Sequence, residues 1–273
     1  MFERREFLMT EADFRFISQT VYDECGIVLS IQKKDMVYSR LARRLRVLKL
    51  ASFSSYLSYL EQNKATEFVE FINAITTNLT YFFREPHHFK FLKDTAIPEI
   101  KEKYKSSKRV RIWSAGCSTG MEPYSIAMST FTSFPKGWDY KILATDLDTQ
   151  VLQTAKEGIY HKDNIAGIEK DSLENNFLHD ANGERYKIKE RYKELITFKQ
   201  LNLLHDWPIK GPFDVIFCRN VVIYFDIETK NALFDRFARL LKPNGYLILG
   251  HSETMNRDVK MFKPIGGTMY QKV

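Results

Sequence analysis

Cysteine is scarce in this chain of 273 residues: there are three, Cys25, Cys117 and Cys218, far apart and odd in number. That pattern speaks against a disulfide framework and offers no metal-ligand spacing. Glycine and proline number only 12 and 8, which argues against collagen-like repeats and disorder. Nowhere do eighteen apolar residues run consecutively, so no membrane-spanning helix is expected. The N-terminus, MFERREFLMTEADF, interleaves charged and apolar residues and lacks the apolar stretch of a signal peptide. These absences predict a soluble, cytoplasmic protein.

What is present is globular: 44% hydrophobic, 27% charged and 14% aromatic residues, with length for a large domain alone or with a small one. Lys and Arg total 41 against 34 Asp and Glu, a net +7. That mild excess suits an acidic protein surface, nucleic acid or an anionic membrane, and composition does not choose among them.

The first 76 residues read as a small all-α module. Val37, Leu41, Leu45 and Leu48 recur at steps of three and four, forming one apolar stripe, and Arg40, Arg43 and Arg46 project away from it. Further helices are predicted over Ser52–Gln62 and from Thr66 through Asn73 or beyond. Between Lys33 and Lys49 seven positive residues face only Asp35, so the basic excess is local.

From about residue 108 strands alternate with helices. The strands are Arg109–Ala115, Tyr140–Thr145, Phe213–Cys218 and Tyr246–Leu249, and Phe262–Val273 reads as a hairpin around Gly266-Gly267. Helices are predicted over Pro123–Thr130, after Asp148, and over Ile227–Leu241. The pattern predicts a mostly parallel α/β sheet within residues 77–273. A polar stretch at about 160–198, with a turn signal at Asn182-Gly183, reads as an inserted antiparallel β subdomain.

Three strand ends carry polar residues toward one crevice. The run Ile112–Gly120 (IWSAGCSTG) is strand, small-residue turn and helix start, the form that lets backbone approach a nucleotide-type cofactor. It is neither GxGxxG nor a Walker A loop, and any α/β protein can use such a turn. Asp146 ends the next strand, where a carboxylate can accept ribose hydroxyls, whereas Asp148 suits a helix N-cap. Phe213–Phe225 (FDVIFCRNVVIYF) delivers Arg219-Asn220 to the same edge. Val221-Val222 stand where methyltransferases of base amino groups carry Pro-Pro, which weighs against base chemistry. Glu122 can simply favour a helix N-terminus, Arg84 can pair with Glu85, and Tyr224 can be core. His87-His88 are read as structural, His251 receives no catalytic role, and Cys117 and Cys218 are read as buried small hydrophobes.

Taken together, TTNLTYFFRE (76–85), IWSAGCSTGMEPYSIAM (112–128), ILATDLD (142–148), FDVIFCRNVVIYFD (213–226) and LKPNGYLILGHSE (241–253) resemble the CheR family of chemotaxis receptor methyltransferases, in order and end to end. The resemblance implies a Rossmann-like methyltransferase sheet and S-adenosylmethionine-dependent methylation of glutamate side chains on the cytoplasmic helical region of chemoreceptors, with S-adenosylhomocysteine as product. It implies that Asn78, Thr80 and Arg84 cover the cofactor, that Glu122 lies near its methionine part and that Asp146 holds the ribose. Asn202 and Leu203 would flank the adenine, Arg219 and Asn220 form the strand-end pair, and Arg84 and Tyr224 face the reaction centre. Arg40, Arg43 and Arg46 would dock the acidic receptor helices. A monomer without metal, nucleic acid or membrane insertion is expected. The short loop His179–Arg185 argues against capture of the receptor C-terminal pentapeptide that some members use. The competing readings are a methyltransferase for RNA or a small molecule, and a non-catalytic S-adenosylmethionine-binding adaptor.

Overall fold

The computed structural model describes residues 5–256 and 259–273, which fall into two units. The described residues up to Thr77, together with Tyr224–Asp226, make the first; Asn78–Ile223 and Ile227–Val273 make the second.

Local sequence chemistry sets the helices of the first unit. Glu11–Cys25 opens on a capping box between Thr10 and Asp13 and closes at Gly26, whose φ of 67° favours glycine. Lys34–Leu48 buries Val37, Leu41, Ala42 and Leu45, so the predicted stripe does face the core. Phe53–Gln62 starts from the Ser52 cap, and Lys64–Ile75 begins two residues before the third predicted helix and ends beyond Asn73 as that expectation allows. Arg44 binds the buried Glu67 through two bonds of 2.7 Å, and Tyr56 Oη donates to the same carboxylate at 3.1 Å.

The basic face differs from expectation. Arg40 does not stand free: its guanidinium donates to the carbonyls of Ile75 (2.5 Å) and Thr76 (2.8 Å) and to Thr77 Oγ1 (3.1 Å). A helix end leaves carbonyls without intrahelical partners, and Arg40 satisfies them. Arg46 is exposed and paired with Glu6 at 2.6 Å. Arg43 is exposed.

The second unit is built on strands β1 (Arg109–Ala115), β2 (Asp139–Asp146), β3 (Ile159–His161), β4 (Phe177–His179), β5 (Arg185–Ile188), β6 (Ile196–Gln200), β7 (Phe213–Cys218), β8 (Leu241–Leu249), β9 (Phe262–Gly266) and β10 (Met269–Lys272). The main sheet has the order β6-β2-β1-β7-β8-β10-β9. Its first five members run parallel, and β10 and β9 are antiparallel as the predicted hairpin. Every residue of β7 is buried, as a strand covered on both faces must be. The chain leaves β1 toward β2 on one side and returns to β7 on the other, so the strand order reverses beside β1. Open α/β sheets bind ligands at the carboxyl ends of such strands.

β3, β5 and β4 form the separate antiparallel sheet. It is narrower than the predicted 160–198 insertion: it ends at Ile188, and Ile196–Gln200 pairs with β2 in the main sheet. β6 is an edge strand with only Ile196 buried, so its polar sequence reads like the insertion that precedes it.

Candidate active site

β1 ends at Gly116 (φ 85°), and the turn closes at Gly120 (φ 87°), just before the helix Met121–Thr130. A Cβ on Gly116 would lie 2.3 Å from Val221 Cγ2, and one on Gly120 would lie 2.7 Å from the Ala155 Cβ. Both positions therefore need glycine for conformation and for space. Ser118 N–H in this turn donates to Asp146 Oδ2 at 2.7 Å, tying the ends of β1 and β2 together.

Asp146 also accepts the Asp148 N–H at 3.0 Å. Its surroundings enclose the carboxyl, and burial pushes it up to about 6 despite these hydrogen bonds. Asp148 is the N-cap expected of it, accepting from Gln150 (2.8 Å) and Val151 (3.2 Å). Its other oxygen takes the Asn78 side chain at 2.7 Å. Asn78 O accepts Ser118 Oγ–H at 3.2 Å, so this segment lies against the glycine turn. Phe82 anchors the segment by edge-on packing against Tyr160 and Phe177, and Phe83 N–H donates to Ser125 Oγ at 2.9 Å. Thr80 lies half-buried on it.

Arg84 keeps its side chain 21% exposed, with Nη1 on Leu79 O at 3.0 Å and the guanidinium 5.6 Å from the Tyr81 ring centroid. Its Nε stands 4.0 Å from Glu85, the outer limit of an ion pair, so the simple pairing with its neighbour is loose.

Arg219, the residue after β7, is a buried charge. It contacts Glu122 at 3.0 Å and Glu85 at 3.2 Å, donates to the Arg84 carbonyl, and faces the Phe89 ring. Glu122 also accepts Ser114 Oγ–H at 2.7 Å, so it joins the strand ends in addition to opening its helix. The two carboxylates on this guanidinium are pushed in opposite directions. Burial raises Glu122, and Arg219 and Ser114 offset it only partly. At Glu85 burial is outweighed by bonds from His251 and the charge of Arg219, which hold it at about 2. His251 supplies both its backbone N–H (3.1 Å) and its ring Nδ1 (3.0 Å). His88 is fully buried, its Nε2 2.8 Å from Gly267 O, and burial pushes it down to about 4. Cys117 and Cys218 are buried, and burial raises both thiols.

Asn202 and Leu203 follow β6. Leu201 N–H donates to Asp146 O at 2.9 Å, which places the pair beside the β2 end. Asn202 Oδ1 accepts the Leu204 N–H at 2.9 Å, and Leu203 is buried with its carbonyl on Arg236. Asn220 has a φ of 59°, and its N–H donates to Glu253. Thus Asn78, Thr80, Arg84, Glu122, Asp146, Asn202, Leu203, Arg219 and Asn220 all belong to the second unit, in the segment before Pro86, in the first turn of the helix after β1, or at and just beyond strand ends. Tyr224 is the exception: it belongs to the first unit, where its carbonyl accepts the Val28 N–H at 2.9 Å.

Two residues escaped the sequence reading. Glu85 was weighed only as a neighbour of Arg84, and Glu253 was overlooked inside the GHSE string. An acidic residue four positions beyond the end of an apolar strand was the available signal for Glu253.

The glycine cradle and the adjoining Asp146 carboxylate fit a cofactor that carries a nucleoside with free ribose hydroxyls. No group of side chains suited to a metal occurs among the described residues, and none of their helices is long and apolar enough to cross a membrane.

Residues 12–76 match the family model described as the CheR methyltransferase all-alpha domain, and residues 78–271 match the CheR methyltransferase SAM binding domain. The chemotaxis protein methyltransferase of Escherichia coli (strain K12) is 43% identical over 269 residues, 96% of this chain and 91% of that one. A probable chemotaxis protein methyltransferase of Rhizobium etli is 42% identical over 257 residues, covering 92% and 96% of the two chains. That of Borreliella burgdorferi is 40% identical over 265 residues, covering 94% and 93%. With both domain models matched in order and relatives aligned nearly end to end, the chain belongs to the CheR methyltransferase family, S-adenosylmethionine-dependent methyltransferases of chemotaxis.

Proposed function

We propose that this protein is a protein-glutamate O-methyltransferase that esterifies glutamate side chains on the cytoplasmic helical region of chemoreceptors. The observation that carries the reading is the β1 turn, a side-chain-free backbone too tightly packed for any Cβ at Gly116 or Gly120, whose Ser118 N–H meets the enclosed Asp146 carboxylate, with the partly exposed Arg84 guanidinium on the segment packed against the turn. S-adenosylmethionine, when bound, supplies an activated methyl group on a sulfonium.

Asp146 holds the ribose hydroxyls, and Asn202 and Leu203 border the adenine. Asn78, Thr80, Glu122, Arg219 and Asn220 surround the remaining part. Glu122, with Arg219 on one oxygen and Ser114 on the other, keeps a spare lone pair on each oxygen with which to take a cationic amine. Arg84 orients the incoming glutamate. A glutamate carboxylate has a reference pKa of about 4.3 and is already ionised at neutral pH, so no general base is needed. Alignment of its oxygen with the methyl is then most of the task. Arg84 is partly held by Leu79 and Tyr81, so it can orient the substrate without neutralising it strongly in the ground state.

Arg43 and Arg46 form the docking face, and recognition proceeds without a pentapeptide tether. The loop at β5 supports this, because Asp180 Oδ1 closes it onto the N–H groups of Glu184 (2.9 Å) and Arg185 (3.3 Å).

The test uses S-adenosylmethionine labelled in its methyl group and membranes bearing a chemoreceptor. Label should enter the receptor and be released by alkali as methanol. Arg84→Ala should lower the rate about 10- to 100-fold, the range of a lost charged hydrogen bond, with the fold retained. Alkali-stable label, or cofactor binding with no transfer, would replace this reading with base methylation or an adaptor.

A further inference from the structure

We propose that Glu253 is a positioning residue of the methyl-transfer site, its carboxylate fixing the Arg219–Val221 turn in the shape that presents it to the cofactor. The inference rests on the reading that Arg219 and Asn220 belong to the cofactor site. Glu253 is only 2% exposed and accepts four backbone N–H groups. Oε2 takes Gly250 (2.6 Å) and Asn220 (2.7 Å); Oε1 takes Val221 (2.8 Å) and Ile223 (3.2 Å). One side chain thereby fastens the ends of the adjacent strands β7 and β8. Asn220 holds a left-handed φ of 59°, a conformation that L-residues adopt at a cost unless their surroundings fix it.

Two consequences run from this clamp into the site. Val221, held by Oε1, sets the wall that a side chain at Gly116 would strike, so the clamp shapes the glycine cradle. Asn220, held by Oε2, fixes where Arg219 leaves β7 to meet Glu122 and Glu85. Gly250 completes the fit: a Cβ there would lie 2.5 Å from Asn220 Nδ2. With all four contacts on backbone, Glu253 acts through the turn and not on substrate.

Glu253→Gln keeps the volume but turns one oxygen into a donor facing two N–H groups. S-adenosylhomocysteine should bind this variant at least about tenfold more weakly by calorimetry, and the KM for S-adenosylmethionine should rise in parallel. The kcat at saturating cofactor should fall by less than about threefold, and Glu253→Asp should recover part of the affinity. A folded Glu253→Gln variant that binds within twofold of wild type overturns the proposal. Should the variants not fold, amide exchange on the wild type decides: the Asn220 and Val221 N–H groups should be protected without cofactor, and fast exchange there refutes the clamp. Failure of the wild type to bind S-adenosylhomocysteine would count against the cofactor reading instead, and the exchange measurement would still judge the clamp.

Discussion

Asp146→Asn removes one enclosed charge and separates stability from function. Burial raises this carboxyl to about 6 from an ordinary 3.8, outweighing the N–H groups of Asp148 and Ser118. Between those two values the folded protein binds more protons than the unfolded chain, so stability falls as pH rises through the window and the loss is complete above about 6. At 1.36 kcal/mol per pK unit the penalty is roughly 3 kcal/mol. Asparagine removes the charge but keeps only one of the two acceptors, so the ligand-free variant should gain about 1–2 kcal/mol near pH 7.5. That gain should be largely lost by about pH 4, where the folded aspartate is neutral and the unfolded one is close to half protonated. Cofactor binding should move the other way, because ribose hydroxyls favour the ionised carboxylate. Wild-type affinity for S-adenosylhomocysteine should fall about tenfold per unit below pH 6, whereas the variant should be weaker near neutrality and insensitive to Asp146 titration. Urea unfolding of the ligand-free proteins across pH 4–8, with calorimetric titration at the same pH values, reads both effects. A variant no more stable than wild type at neutrality, together with wild-type affinity level from pH 7 to 5, would refute the reasoning.

Arg44→Ala strands the Glu67 carboxylate among buried residues and should cost about 3–5 kcal/mol by urea unfolding, whereas Arg44→Leu combined with Glu67→Leu should recover most of it. Charge reversal at Arg43 and Arg46 should weaken receptor methylation and its salt dependence while leaving S-adenosylhomocysteine affinity unchanged; intact receptor methylation at low salt would remove both residues from docking. Gly120→Ala should destabilise by about 2–4 kcal/mol in thermal unfolding, since it combines a left-handed φ with a 2.7 Å approach to Ala155.

Periodicity made the parallel strands readable, because apolar runs such as Phe213–Cys218 end abruptly in polar residues at the crevice. Asp146 and Arg219 were legible for the same reason, each standing at a strand end, whereas Glu122 read by itself only as a helix opener and entered through the family resemblance. What local pattern does not carry is pairing across long separations. Arg40 looked like a solvated face residue, but its partners are the carbonyls at Ile75 and Thr76, whose need arises only where the helix Lys64–Ile75 ends beside it. The Glu85–Arg219 contact joins residues whose closeness depends on the positive φ of Glu85 and on strand order. Glu253 was hidden more deeply, since its partners are backbone groups with no residue signature. The far end of the insertion was misplaced because an exposed edge strand and a polar loop have similar composition.

The meeting of Gly116 with Val221 carries an evolutionary implication. Although 105 positions separate them in sequence, the two residues occupy one volume: the missing side chain of the first is filled by a methyl of the second. Trimming Val221 to alanine would open space at position 116, yet the φ of 85° there would still disfavour any L-residue. The epistasis is therefore lopsided: position 221 is free to shrink while 116 stays glycine, and 116 has no tolerated path outward even after its neighbour yields.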